Sequence, residues 1–373
     1  MRVVGEPRPK IVQVSDISIG FGNGDALSLI GSLRDHYGLP AAIVEPDQPE
    51  KPVREEAQGI PLKRIPSAIH LRSAAGRVEY IRQAAELINA ISPSVLVIRC
   101  SWTVPVLLKL KRKPQLVLYH CVESVAHYGA ADLLFNRLAA PMIDIVVFPE
   151  ENRAAIDAER CEFRRIPIAI AYNCPVRLAE AQTLVAEPIR NGKILYAGAL
   201  DRDANCLDHF LDPRLDSLPI DLYGHVGGAD AAQTRLRLQS LRGNVSYMGY
   251  WPTEKLAAVR PYYAFSSVMW NPSNENQLYA CPHKFFESIA SFVPPICAPH
   301  PQCKTLIERY RCGIVMRDWS FGAFQEALAE AKGKFRTADY ESMVEGCRTA
   351  VLEELNWDRQ FARVRPLLPS LNV

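Results

Sequence analysis

The sequence predicts an α/β protein made of two doubly wound domains with parallel sheets, and three observations carry that reading. Its 373 residues exceed what one hydrophobic core usually organises. Short apolar runs alternate with amphipathic stretches at the rhythm of parallel βαβ units, whose crossovers are right-handed. The alternation pauses near residue 180 and then restarts, so two Rossmann-like domains should face each other across a cleft, with ligands at the carboxyl ends of the strands.

In chain order, residues 11–14 read as a first strand, and residues 26–37 as a helix with Leu27, Ile30, Leu33 and Tyr37 on one side. Residues 41–44 form a second strand and residues 74–91 a long helix. Residues 94–98, 115–119 and 143–148 are further β-rich runs. The charged, Pro-rich run 47–66 interrupts the pattern and reads as a surface loop. Residues 172–188 read as a connection. Residues 193–197 open the second set of units, continued by strands at 220–223, 245–247, 262–266, 295–298 and 313–316. Helices at 231–241 and 321–332 lie between them, and the closing stretch 357–368 is amphipathic.

Composition narrows the function. The chain carries 43 basic and 41 acidic residues for a net charge of +2, so the totals call for no polyanion partner. None of the ten cysteines is in CxxC spacing, and Cys100, Cys121, Cys174, Cys281 and Cys297 lie in or beside apolar runs, as reduced buried thiols do. A cytoplasmic protein is expected. The stretch before Lys10 has no apolar core and is not expected to act as a signal peptide, and no window is apolar enough for a membrane span.

Residues 274–299, NENQLYACPHKFFESIASFVPPICAP, are the richest stretch. A polar loop leads to Pro282 at the first turn of a helix, with Lys284 and Glu287 one turn apart. Phe285, Phe286, Ile289 and Phe292 mark a buried face. The unpaired N–H groups and positive dipole end of a helix start suit a phosphate, and a carboxylate one turn further in can accept hydrogen bonds from a sugar hydroxyl. The competing reading is an i, i+3 surface pair. After the first strand, Gly20, Gly22 and Gly24 alternate, which lets backbone approach a ligand, or else makes a plain tight turn. Their spacing is not G-x-G-x-x-G, and Asp25 reads as an N-cap. At the end of the strand 115–119, His120, Glu123 and His127 are candidates to face an acceptor or a transferred sugar, the alternative for each histidine being a satisfied structural role. No HxxH, HExxH or carboxylate cluster signals a metal.

The segment from Pro282 to Cys297 resembles the "PNKLFEY…GVPVV" segment of GT-B nucleotide-sugar glycosyltransferases of the retaining family 4 type. Other segments resemble that family in its order: 118–124 its "VYDCxDD", 148–152 its "VSE" helix start, and 166–173 its "VIPNG". Further on, 194–202 resembles "YxGxL", 221–225 "LxGxG" and 244–250 "NVxFxGxxP". The resemblance implies that Glu287 holds the ribose of a UDP- or GDP-sugar, and that Lys284, Arg202 and the Gly198 turn meet its diphosphate. The loop with Gly22 and Gly24 would reach the donor, and Tyr250 would lie near the base. His120 and Glu123 would face the sugar or acceptor, and Glu150 and Glu151 would cap and support their helix. Many members carry a first glutamate that touches the donor sugar. Here that position is Tyr279, the nearest acid is Glu275, and Asn276, Gln277 or backbone would take its place.

What the resemblance further implies is transfer of a sugar to a hydroxyl acceptor, a saccharide or glycan intermediate, with retention and without a bound metal or a tightly held cofactor. It also implies a C-terminal helix crossing back to the first domain. The division expected is 1–178 with 356–373 as acceptor domain, and 179–355 as donor domain. The run 107–113, LLKLKRK, reads as a solvated basic helix end, or as a peripheral contact with anionic lipid. Two rival functions are a transferase acting on modified nucleic-acid bases, against which the balanced charge argues, and a catalytically idle scaffold that keeps the fold.

Overall fold

The computed structural model describes residues 9–19, 24–48, 53–66, 73–183, 188–228, 230–241 and 243–372. They belong to two compact units, one comprising the chain up to Tyr172 together with Phe361–Val373, the other Asn173–Gln360. Gly20 and Gly22 lie outside the described residues, and Gly24 is described only as the first backbone position of the helix Gly24–Tyr37.

The first unit holds an eight-stranded sheet: β1 (Ile11–Val14), β2 (Ala41–Pro46), β3 (Glu56–Ala57), β4 (Ile60–Ile65), β5 (Val95–Arg99), β6 (Leu116–His120), β7 (Ile145–Phe148) and β8 (Ile168–Ile170), in the order β3-β4-β2-β1-β5-β6-β7-β8. All neighbours are parallel except the β3–β4 hairpin. Strands covered on both faces lose polar alternation. Hence β1, β5, β6 and β7 are buried along their whole length. Val12, Val14, Val44, Leu96, Ile98, Val117, Tyr119, Val146 and Phe148 share one core with Tyr80, Ile81, Ala84, Ala85 and Ile88. Those last five residues are a stripe on the helix Ala74–Ile91, which begins where Ser73 Oγ accepts the Gly76 N–H at 3.0 Å and stops at Ser92 in the left-handed conformation.

The run 47–66, expected to be a surface loop, contains β3 and β4 instead. Gln58 and Gly59 both have positive φ, the signature of a two-residue hairpin turn whose twist matches paired strands. β4 then lies parallel to β2, burying Ile60 and Ile65 and directing Arg64 onto the buried Glu45 at 2.8 Å. The prolines and charges masked a strand because it lies near the sheet edge, where both are tolerated.

The second unit is a six-stranded sheet, parallel throughout: β9 (Ile194–Ala197), β10 (Ile220–Tyr223), β11 (Val245–Gly249), β12 (Phe265–Val268), β13 (Pro295–Cys297) and β14 (Ile314–Val315), in the order β11-β10-β9-β12-β13-β14. Each unit therefore has one point where successive strands leave in opposite directions, between β1 and β5 in the first and between β9 and β12 in the second. The loops leaving those strands diverge, which opens a crevice at their carboxyl ends.

The helix Trp357–Val364 starts in the second unit, and from Phe361 onward the chain belongs to the first. There Val364 is fully buried, Tyr37 Oη donates to the Pro369 carbonyl at 2.9 Å, and Gln115 Nε2 donates to the Asn372 carbonyl at 2.9 Å. The C-terminal return expected from the sequence is present. All ten cysteines are free thiols, and nine are buried.

Candidate functional site

In the second unit, β9 runs out into Ala197-Gly198-Ala199, and β10 ends at Tyr223-Gly224-His225. The Gly198 N–H donates to the Tyr223 carbonyl at 2.9 Å, and the Leu200 N–H to the His225 carbonyl at 2.8 Å. Gly224 has φ +149°, and a Cβ there would fall 1.6 Å from the Gly198 carbonyl oxygen. Only glycine lets the two loops meet. Asp201 caps the short helix Arg202–Asn205, its Oδ1 accepting from the N–H groups of Asp203 at 2.9 Å and Ala204 at 2.8 Å. Across the switch point, the segment after β12 is tied to the same helix where the Asn271 N–H donates to the Ala204 carbonyl at 2.9 Å.

Into this crevice comes the start of the helix His283–Ala290. Phe285, Phe286, Ile289 and Phe292 are all buried, as their spacing requires, and that face fixes the helix against the sheet. Its first turn carries Lys284, which is 7 % exposed and has no hydrogen-bond partner for Nζ among the described residues. Two ring faces enclose it: Nζ lies 4.1 Å from the centroid of Tyr196 and 4.0 Å from that of Trp270. A Cβ on Gly198 would stand 2.9 Å from Nζ. Burial lowers the Lys284 pKa to about 7, with the negative field of Glu287 acting in the opposite sense.

Glu287, one turn further on, does not form the i, i+3 pair with Lys284. Its Oε2 accepts from Arg260 Nη2 at 2.6 Å, and the Arg260 side chain is only 4 % exposed against 21 % for Glu287. The carboxylate is thus held from behind by a buried guanidinium while part of it stays accessible. Gly198, Lys284 and Glu287 are gathered at this switch point.

The other donor-side candidates lie around this cluster with partners of their own. Arg202 makes a bidentate pair with Asp208, at 2.8 Å and 2.9 Å, on a half-exposed surface, and Asp230 stands 3.7 Å away. Tyr250, just beyond β11, stacks on His225 with ring centroids 3.9 Å apart and planes at 19°, a flat polar-aromatic shelf at the ends of β10 and β11. Tyr279 is half-buried and closes the one-turn helix Glu275–Leu278, which Asn274 caps by accepting the Gln277 N–H at 3.0 Å. Glu275 is exposed.

In the first unit, the switch point is bridged by an ion pair between Asp16, after β1, and Arg99, at the end of β5. The residues leading into the glycine-rich loop are pinned on β2 and just beyond it. The Ile19 N–H donates to the buried Glu45 at 2.7 Å, and Ser18 donates through its N–H to Gln48 at 2.7 Å and through Oγ to the Pro46 carbonyl at 2.6 Å. His120 is the last residue of β6 and is buried. Glu123 is half-buried, 3.4 Å from Arg153. His127 is exposed on the short helix Val125–Tyr128, edge-on to Tyr128. Glu150 caps the helix Glu151–Arg160, accepting the Arg153 N–H at 2.7 Å, and burial raises its pKa. Lys109, Lys111 and Arg112 of the basic run are exposed beside a half-exposed Leu108. No helix among the described residues is long and apolar enough to cross a membrane.

Tyr196, Asn205, Trp270 and Arg260 were not anticipated from sequence. Tyr196 had a signal, since it is the aromatic of the "YxGxL"-like turn. Trp270 and Arg260 had none, because each reaches the helix from a remote element.

The sequence matches no protein-family model and no curated protein. Solved structures do match. A sucrose-phosphate synthase from Thermosynechococcus elongatus aligns over 96 % of this chain and 98 % of its own at TM-score 0.71 and 14 % identity. Anabaena HepE in complex with UDP aligns over 96 % and 100 % at TM-score 0.63 and 11 % identity. A UDP-forming α,α-trehalose-phosphate synthase from Burkholderia xenovorans aligns over 97 % and 100 % at TM-score 0.65 and 10 % identity. With two parallel-sheet α/β units matched across nearly their whole length, the chain has the GT-B fold of these glycosyltransferases.

Proposed function

We propose that the protein is a glycosyltransferase that takes a nucleotide-diphosphate sugar as donor, UDP-linked in the first instance, and transfers the sugar to a hydroxyl of a saccharide or glycan with retention of configuration. The observation that carries this reading is the grouping of Gly198, Lys284 and Glu287 at the β9/β12 switch point, with the amine of Lys284 unpartnered and Glu287 braced by Arg260. UDP is favoured because two of the matching proteins are named for it or bound to it.

In this reading Glu287 accepts hydrogen bonds from the ribose hydroxyls. Lys284 and the Gly198 turn meet the diphosphate, and Tyr250 on His225 offers a stacking face for the base. Arg202 would have to leave Asp208 to reach phosphate, so it belongs to the rim of the site. As the bond from the anomeric carbon to the diphosphate oxygen breaks, charge grows on that oxygen, and the Lys284 nitrogen, already held in place against the bound diphosphate, stabilises it without reorganisation. The acceptor hydroxyl attacks from the same side, its proton passing to the leaving phosphate, so positioning supplies most of the rate. His120 and Glu123 are proposed for the acceptor side. No divalent cation is required in this scheme. The work is placed in the cytoplasm, with Leu108 and the neighbouring cations resting at most on an anionic membrane surface.

A thermal-shift series with UDP, GDP, ADP and their common sugar conjugates tests the reading. One nucleotide is expected to raise the melting temperature by mass action, and Glu287→Ala to lose most of that shift. A full shift retained in Glu287→Ala would remove the donor assignment.

A further inference from the structure

The surroundings of Lys284 are built rather than incidental. Both walls of its enclosure are themselves fixed: Tyr196 Oη donates to the Ala199 carbonyl at 2.8 Å. Asn205, 3 % exposed, spans the gap between that same carbonyl, at 3.2 Å, and Trp270 Nε1, at 3.3 Å, with its amide oriented to satisfy both. The β9 turn, the helix Arg202–Asn205 and the segment after β12 are therefore joined around one amine.

An ammonium has three N–H donors to place. Ring faces attract the charge but accept no full set of hydrogen bonds, and the Gly198 backbone closes another side. The titratable groups facing Lys284 are Glu287 on its own helix, Cys297 on β13, Cys206 after the helix Arg202–Asn205, and Tyr196 on β9. Cys206 is pushed up to about 11 by burial and is neutral, and Arg260 already engages the Glu287 carboxylate. Desolvation by burial outweighs the negative field of Glu287 and brings the Lys284 pKa to about 7.

We propose that Tyr196 and Trp270 are positioning residues that hold Lys284 as a desolvated amine over the Gly198 turn, so that an arriving diphosphate charges it and binding takes up one proton from solvent. The step forms an N–H bond on Lys284 and breaks none in the ligand. It rests on the donor reading of this site.

Isothermal titration with UDP at pH 8, run in HEPES and in Tris, counts the protons, because the two buffers release different heats on ionisation. The terminal phosphate of UDP is already ionised at that pH, a phosphate's second pKa being about 6. A group with a pKa near 7 that becomes charged on binding should take up ~0.9 proton at pH 8 and ~0.5 at pH 7. Lys284→Arg is charged throughout, so it should bind with uptake near zero. Trp270→Leu opens the enclosure to water and should also lose uptake, whereas Trp270→Phe keeps a ring face and should retain it.

Clear binding heat without proton uptake in the wild type overturns the proposal and leaves the donor reading standing. So does undiminished uptake in Lys284→Arg, which decides the matter should Trp270→Leu fail to fold, and so does undiminished uptake in Trp270→Leu. Absence of any heat with UDP, GDP or ADP overturns the donor reading and this proposal together.

Discussion

Lys284 links ligand chemistry to fold stability, because a lysine buried with no acceptor costs most when it is charged. Its folded pKa of about 7 lies below the ordinary lysine value of 10.5. Between those limits the unfolded chain binds more protons than the native one, so native stability rises as pH rises through that window. Seen from the other side, the stability is present above the unfolded pKa and is lost as pH falls through the folded pKa. Lys284→Met removes this linkage. Its advantage over wild type in urea unfolding should be largest at pH 6 and should fade by pH 10, by an amount on the order of a few kcal/mol at about 1.4 kcal/mol per pKa unit. A difference that does not change with pH would show that the amine stays solvated. At this scale the sequence made Lys284 and Glu287 legible, since a helix start one turn before a carboxylate is a local pattern. Their partners were not legible: Trp270 and Arg260 come from the ends of other elements, and no spacing connects them to the helix.

Elements meet at this site through glycine. The β9 and β10 turns touch at Gly198 and Gly224, where a side chain on Gly224 would occupy the Gly198 carbonyl oxygen. Gly224→Ala must push those loops apart, and φ +149° adds strain for any residue with a Cβ. It should destabilise the second unit by about 2–4 kcal/mol and weaken nucleotide binding, both measurable by denaturation with and without UDP. Ser73→Ala, which removes only the cap of the helix Ala74–Ile91 in the first unit, serves as the contrast at about 1 kcal/mol with nucleotide binding unchanged. A nucleotide affinity equal to wild type in Gly224→Ala would mean that the two turns need not meet for binding. The parallel strands were readable one by one because burial on both faces makes them continuous apolar runs. β3 and β4 were not, since an edge hairpin carries the prolines and charges that otherwise mark a loop.

For the molecule as a whole, the chain from Phe361 belongs to the first unit although it follows the second in sequence. Val364 is buried there, and Tyr37 and Gln115 hold the carbonyls of Pro369 and Asn372. Ending the chain at Gln360 should therefore lower the stability of the first unit by about 1–3 kcal/mol, the worth of one or two apolar side chains, and raise hydrogen exchange in Gly24–Tyr37. Exchange increasing in the second unit instead would contradict this division. By itself the sequence determined the fold class, the two sets of βα units, and the amphipathic helix that carries Lys284 and Glu287. These follow from local periodicity, which each stretch of chain holds alone. Only the tertiary structure decided which groups surround those two residues: the rings that strip Lys284 of water, the guanidinium that braces Glu287, and the carboxylates that hold Arg202 apart. Such contacts are set by strand order, and the crossings at β9 and β12 bring together residues that no periodicity relates.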